Sequence, residues 1–216
     1  MARFGVNNAD NYGSQGGGGY FSLKNDKDTA RVRFLYDNVE DVEGFAVHEI
    51  EIDGKKRPVN CLREYGAPIS DCPFCAAKMP VRAKYYIPLQ DVDNDRVVIW
   101  ERGKQFGNKL SSLCARYPHL YTRVFEIERN GKAGDKETTY EIYPTDDKNE
   151  NLRLEDFELP EVLGGPVMDK SAEEMQYFLD RGIFPDSTGV VRRSATHDEP
   201  TVARRTPANN GSREVF

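Results

Sequence analysis

Four metal-seeking side chains constrain this sequence more than any other feature. They follow the spacing His48-x12-Cys61-x10-Cys72-x2-Cys75, and three of the chain's four cysteines lie within residues 61–75. A Cys-x2-Cys knuckle turns the backbone so that two thiolates meet one cation. One histidine with three cysteines then makes a closed tetrahedral shell for zinc (Zn2+), with no position left for a substrate or catalytic water. The stretch has little apolar content of its own, Leu62, Tyr65, Ile69 and Phe74. A bound metal would supply the folding energy that such a loop cannot find in a core.

Other readings of the same cysteines stay open. Cys72-Pro-Phe-Cys75 has the spacing of a thiol–disulfide site. Such a site needs a long following helix to lower the thiol pKa, and here Ala76-Ala77-Lys78-Met79 runs directly into Pro80. Cys114 is the alternative fourth ligand to His48, but it falls on the apolar face of a helix and reads as core. No apolar run approaches the ~20 residues that span a bilayer, and MARFGVNNADNYG lacks the apolar segment of a secretion signal. A reducing, cytosolic setting without membrane contact is expected, where cysteines serve as thiols or metal ligands.

Around the cysteines the pattern is of short strands. Strands are expected at 30–36, 45–52, 83–92, 96–102, 121–129 and 138–144, with Asp53-Gly54, Asp93-Asn94-Asp95 and Asn130-Gly131 as turns. Phe106, Leu110, Leu113 and Cys114 repeat with helical spacing over 104–117, and Pro118 ends that helix. A second helix is expected at 171–181, with Ser171 and Glu174 as a capping box and Gly182 as its stop. The fold class is therefore mainly β with minor α. Antiparallel strands with one helix inserted before the last pairing suit a five-stranded oligonucleotide-binding (OB) barrel. The expected organisation is a disordered Gly-rich segment at 1–19, a core at 20–145 with a zinc insertion at about 53–80, an acidic segment with a helix at 146–185, and a disordered tail at 186–216.

Net charge is −6, which by itself argues against a nucleic-acid partner. The acidity is local: residues 131–185 hold 6 Lys/Arg against 14 Asp/Glu, while residues 20–130 hold 18 against 17. Strand alternation assigns an apolar face to each core strand and a second face carrying cations, in two cases beside a ring. The candidate nucleic-acid contacts are Arg31 and Arg33; Lys84 with Tyr86; Arg96, Trp100 and Arg102; Lys55, Lys56, Arg57 and Arg82 on the insertion and its approaches; and Lys104 and Lys109 flanking the helix. Cations for phosphates and rings for base stacking are what a single-strand groove needs. The same alternation also fits Tyr86 and Trp100 as plain core rings with arginine rims. No phosphate-loop, nucleophile-elbow or paired-carboxylate motif occurs, so no catalytic residue is assigned.

The zinc spacing, the lead-in YFSLKNDKDTARVRFLYD at 20–37 and AKYYIPLQ at 83–90 together resemble the phage T4-type single-stranded DNA-binding, helix-destabilising proteins over roughly residues 20–145. The resemblance implies an OB core with an inserted zinc subdomain whose ligands are His48, Cys61, Cys72 and Cys75. It also implies sequence-independent coating of single-stranded DNA in phage replication, recombination and repair, self-association along the strand, and the cytoplasm of an infected bacterium as the setting. The family's basic N-terminal segment is missing, since Arg3 is the one base in residues 1–19, and the acidity sits at 131–185 rather than at the tail. Phage replication or recombination proteins are expected partners of the acidic segment or of the tip Arg213-Glu214-Val215-Phe216. Two further classes remain beside DNA binding: a zinc-stapled protein-interaction adaptor, and a zinc or thiol enzyme.

Overall fold

The computed structural model describes residues 19–135 and 137–185. The expected disordered N-terminal segment, except Gly19, and the expected disordered tail with its tip lie outside the described residues. The described residues form eight strands: β1 (Gly19–Tyr20), β2 (Thr29–Phe34), β3 (Glu43–Ile52), β4 (Lys55–Asn60), β5 (Val81–Asp91), β6 (Arg96–Gly103), β7 (Arg123–Asn130) and β8 (Thr139–Lys148). Three helices accompany them, α1 (Pro73–Ala76), α2 (Gly107–Arg116) and α3 (Ala172–Arg181).

All eight strands belong to one mixed sheet in the order β1-β6-β5-β2-β7-β8, with β3 paired to β5 and β4 paired to β3. β5 is the branch point. One edge pairs with β6; along the other edge, residues 81–86 pair with β3 and residues 89–91 with β2. The expected closed five-stranded barrel does not form, and the sheet is open. β8 pairs with β7 alone, and β6 is flanked at Val98 and Ile99 by the parallel β1. Side chains rather than backbone fill the gap between β6 and β8. Trp100 meets Tyr140 edge to face at 5.3 Å, and Lys109 of α2 donates to the Tyr140 carbonyl.

Local chemistry explains the elements. The β3–β4 hairpin turns at Asp53 (φ 52°) and Gly54 (φ 71°), the left-handed pair that a tight hairpin requires. The strand that follows, β4, was hidden in the sequence by its three cations and Pro58. α3 has the expected capping box: Glu174 N–H donates to Ser171 Oγ at 3.3 Å and Ser171 N–H to Glu174 Oε2 at 2.9 Å. Gly182 (φ 73°) ends it with its N–H on the Phe178 carbonyl.

Three apolar clusters hold the sheet. The main core joins Val32, Phe34, Ile87, Leu89, Val98, Trp100, Leu110 and Phe125 with others on the inner face, and Cys114 packs against it. On the outer face Tyr86, Ile99 and Val47 are covered by Val162 and Val167. The third cluster, Ile50, Val59, Phe74, Met175 and Phe184 with Cys72 and Cys75, ties α3 to the cysteine loop. The acidic segment is thus part of the fold. Met168 N–H donates to the Pro58 carbonyl at 2.9 Å, and the Met168 carbonyl accepts from Asn60 N–H at 3.1 Å, so the chain runs alongside β4.

Candidate metal centre and cationic surface

His48 leaves the middle of β3, Cys61 follows the last residue of β4, and Cys72 and Cys75 bracket the first turn of α1. The β3–β4 pairing sets His48 opposite Val59, two residues before Cys61. The knuckle Cys72-Pro-Phe-Cys75 then folds over this pair, with Pro73 at the first helical position and Phe74 buried against His48 at 5.4 Å. His48 Nε2 lies 3.5 Å from Cys72 Sγ and 3.7 Å from Cys75 Sγ, and Cys61 Sγ lies 3.6 Å from Cys75 Sγ. All four donor atoms fall within 4.8 Å of one another.

These distances fit one tetrahedral ion. Bond lengths of about 2.3 Å to sulfur and 2.05 Å to nitrogen at tetrahedral angles place ligand atoms about 3.8 Å (S to S) and 3.6 Å (S to N) apart. Cys114 belongs to the main core and not to this group, which makes His48 the fourth donor. Burial lowers the His48 pKa, favouring the neutral ring that a metal needs. The Pro80 backbone acts in the opposite direction on the ring. Burial, and then the neighbouring Cys61 and Cys72, push the Cys75 thiol up. At Cys72 burial opposes ionisation, but backbone hydrogen bonds outweigh it and hold that thiol down, and a bound cation favours the thiolate form. The site therefore has the chemistry of a metal clip. α1 is four residues long, too short to supply the dipole of a thiol–disulfide site.

The candidate nucleic-acid contacts divide sharply. Trp100 and Tyr86 are both 0% exposed, so neither offers a ring face to a base. The strand register gives the reason. Trp100 pairs with Ile87 and Val98 with Leu89 on the core face, while Tyr86 sits opposite Glu101 on the outer face beneath residues 162–167. Alternation separated the residues of β6 into two sets, but the set with Arg96, Trp100 and Arg102, expected to face a ligand, turns Val98 and Trp100 into the main core, and Ile99 of the other set is buried under residues 162–167.

Most of the candidate cations are also engaged. Arg31 pairs with Asp93 and Asp147 at 3.3 and 2.8 Å, and the buried Arg33 reaches Gln90 at 3.2 Å and Asp147 at 4.0 Å. Arg82 pairs with Glu49 at 3.0 Å, and Lys84 is clamped between Glu49 and Glu101 at 2.7 Å each. Arg96 pairs with Asp91 at 3.4 Å and Lys109 with Glu141 at 3.3 Å. Arg102 stacks between rings, 4.4 Å from the Trp100 centroid and 4.0 Å from that of Tyr140. Lys55, Lys56, Arg57 and Lys104 are exposed and form no ion pair among the described residues.

The first three of these stand at the tip of the β3–β4 hairpin beside a groove of about 1100 Å³. Arg57 lines it together with Tyr20, Ile52, Val97 and Leu159, and Glu158 and Glu161 form its far wall. A side cavity of about 210 Å³ shares Tyr20 and Arg57 and adds Lys56. Tyr20 is 47% exposed, and its hydroxyl donates to the Pro166 carbonyl at 3.2 Å. Burial and Glu101 push its phenol up to about 12, with Arg57 acting in the opposite direction. Sequence reasoning missed Tyr20, which follows a glycine run and belongs to a two-residue strand too short to show alternation. Among known proteins, no family model and no curated sequence matches the chain.

Proposed function

We propose that the protein binds single-stranded DNA without sequence preference, with zinc as a structural ion, in phage replication, recombination or repair. The observation that carries this reading is the row Lys55-Lys56-Arg57, three exposed cations with no ion pair among the described residues, of which Arg57 lines a groove that also presents the Tyr20 ring and Lys56 lines its side cavity. Phosphates would follow the cations, and bases would lie against Tyr20 and the apolar floor of Ile52 and Val97. The two glutamates on the far wall would keep the strand close to the hairpin. Strands β2, β5, β6, β7 and β8, with α2 between β6 and β7, have the chain order of an OB fold opened between its third and last strands. The resemblance to helix-destabilising phage proteins points the same way.

The metal role is structural because four protein donors fill a tetrahedral shell, which leaves a zinc enzyme without an open position. The adaptor reading is weaker, since much of the acidic segment is pinned along β4 and the outer sheet face instead of being displayed. The test is fluorescence anisotropy of a labelled, unstructured single strand against the same sequence as duplex, at low and high salt. Salt-sensitive preference for the single strand, lost on changing Lys55, Lys56 and Arg57 to Gln together, supports the reading. Equal or absent binding to both forms overturns it.

A further inference from the structure

The seam between β6 and β8, where a closed barrel would have hydrogen-bonded, concentrates positive charge. A cavity of about 240 Å³ opens there, lined by Arg102, Phe106, Lys109, Thr138 and Tyr140 with others. It shares Gln105 and Lys109 with a trough of about 530 Å³ that runs along α2 to Arg116 between the helix and β8. Glu141 is the one carboxylate among the described lining residues of either.

Arg102 is the anomaly. Its guanidinium is held between the Trp100 and Tyr140 rings, and among the described residues no carboxylate lies within ion-pair distance and its buried Nε has no hydrogen-bond partner. Behind Tyr140 lies Arg129, 9% exposed. It donates to neutral oxygens only: the Gly131 and Lys132 carbonyls, the Tyr140 hydroxyl and Thr138 Oγ1, at 2.8–3.2 Å. Glu101 and Asp28 act on these guanidiniums only from longer range. Burial lowers the Arg102 pKa, with Tyr140 acting in the opposite direction.

Cations without a carboxylate partner are costly to bury, and the half-buried Arg102 and the buried Arg129 flank one tyrosine beside a cavity. The start of α2 forms part of the same rim, without an acidic residue in its first turn or a side-chain cap. Its amide dipole adds to the same potential.

We propose that this seam is a phosphate-binding pocket in which the Arg102 guanidinium receives a phosphate group, with Lys109 at the rim. A planar guanidinium offers paired donors that match two phosphate oxygens. Two cations, Arg102 and Lys109, converging on one cavity favour a tetrahedral oxyanion over a single carboxylate. The phosphate can belong to a nucleic-acid backbone lying in the α2 trough or to a free phosphate. The pocket lies on residues other than the Lys55–Arg57 groove and does not depend on it.

Trp100 is the chain's single tryptophan, and the Arg102 guanidinium sits on its ring, so its fluorescence reports on the pocket directly. The metal-loaded full chain is titrated with inorganic phosphate and, separately, with a short oligothymidylate, each against sodium chloride of matched ionic strength. A saturable change with phosphate identifies a site open to the free ion. A change with oligothymidylate alone identifies a phosphodiester site. In either case Arg102→Gln weakens binding about tenfold or more, and the Lys55, Lys56 and Arg57 to Gln triple variant leaves the inorganic-phosphate response intact. No saturable change with either probe, or a response that Arg102→Gln leaves unaltered, overturns the proposal. If Arg102→Gln fails to fold, Lys109→Gln decides: a several-fold loss supports the pocket and unchanged affinity overturns it. Failure of the single-strand reading would appear separately, as loss of oligonucleotide anisotropy with the phosphate response retained.

Discussion

Lys84 shows how misleading a cation on a sheet face can be. Read along the strand it belongs to a basic stripe; in the fold its ammonium is 2.7 Å from both Glu49 and Glu101. The hydrogen bond from Lys84 is the largest influence holding the Glu49 carboxyl below its ordinary range. Lys84→Met leaves two carboxylates facing each other. The expected loss is about 2 kcal/mol, below the roughly 3–5 kcal/mol of a fully buried pair, because both acids keep some solvent. A carboxylate with a depressed folded-state pKa stabilises above its unfolded value and loses that stabilisation as pH falls through the folded value. The gap between wild type and Lys84→Met, measured by urea unfolding, is therefore widest near neutrality and narrows below about pH 4. DNA affinity is expected to stay unchanged in this variant. Trp100 makes the complementary case. It packs on Phe21, Phe106 and Tyr140, so Trp100→Ala costs about 3–5 kcal/mol in unfolding experiments, the range of large-to-small core changes. A loss under about 1 kcal/mol would contradict its place in the core.

At the scale of elements, the sequence was most legible where local chemistry decides the outcome. The Ser171–Glu174 capping box, the Asp53-Gly54 turn and the apolar face of α2 were all readable, because each rests on side chains within one turn of one another. The four metal donors were readable because thiolate and imidazole chemistry limits what that spacing can do. What could not be read depends on distant partners. β4 looks like part of a loop until β3 pairs with it, and the outer face of β5 at Tyr86 looks exposed until residues 162–167 fold over it. The metal clip also extends further than its spacing shows. Cys72 and Cys75 share a cluster with Met175 and Phe184, and Phe178 of α3 stacks on Phe74 at 5.9 Å. Removing the metal, by a strong chelator or by Cys75→Ser, is expected to loosen residues 61–80 and α3 together, since metal binding here is folding energy. Limited proteolysis should then cleave both regions while Trp100 fluorescence stays native-like. Loss of the loop with α3 still protected would show that α3 is held by the sheet alone.

For the whole molecule, the question is how a chain of net charge −6 could hold the proposed polyanion. The sheet face answers by internal neutralisation: Arg31, Arg33, Arg82, Lys84 and Arg96 each have an acidic partner, and the acidic segment is fastened beside β4. The field left over for a ligand comes from a few unpaired cations at an edge, so binding should release few counterions. Each phosphate neutralised on a single strand contributes roughly 0.7 to the slope of log affinity against log salt. Changing Lys55, Lys56 and Arg57 to Gln should therefore flatten that slope by about 2, with weaker binding at low salt and convergence of the two proteins at high salt. Anisotropy titrations of the full chain across a range of sodium chloride measure both slopes. An unchanged slope with unchanged affinity would take the strand off the hairpin and leave the β6–β8 seam, with Arg102 and Lys109, as the remaining cationic path. A flattened slope together with an intact phosphate response at Trp100 would place two independent anion contacts on one molecule, one at each end of β6.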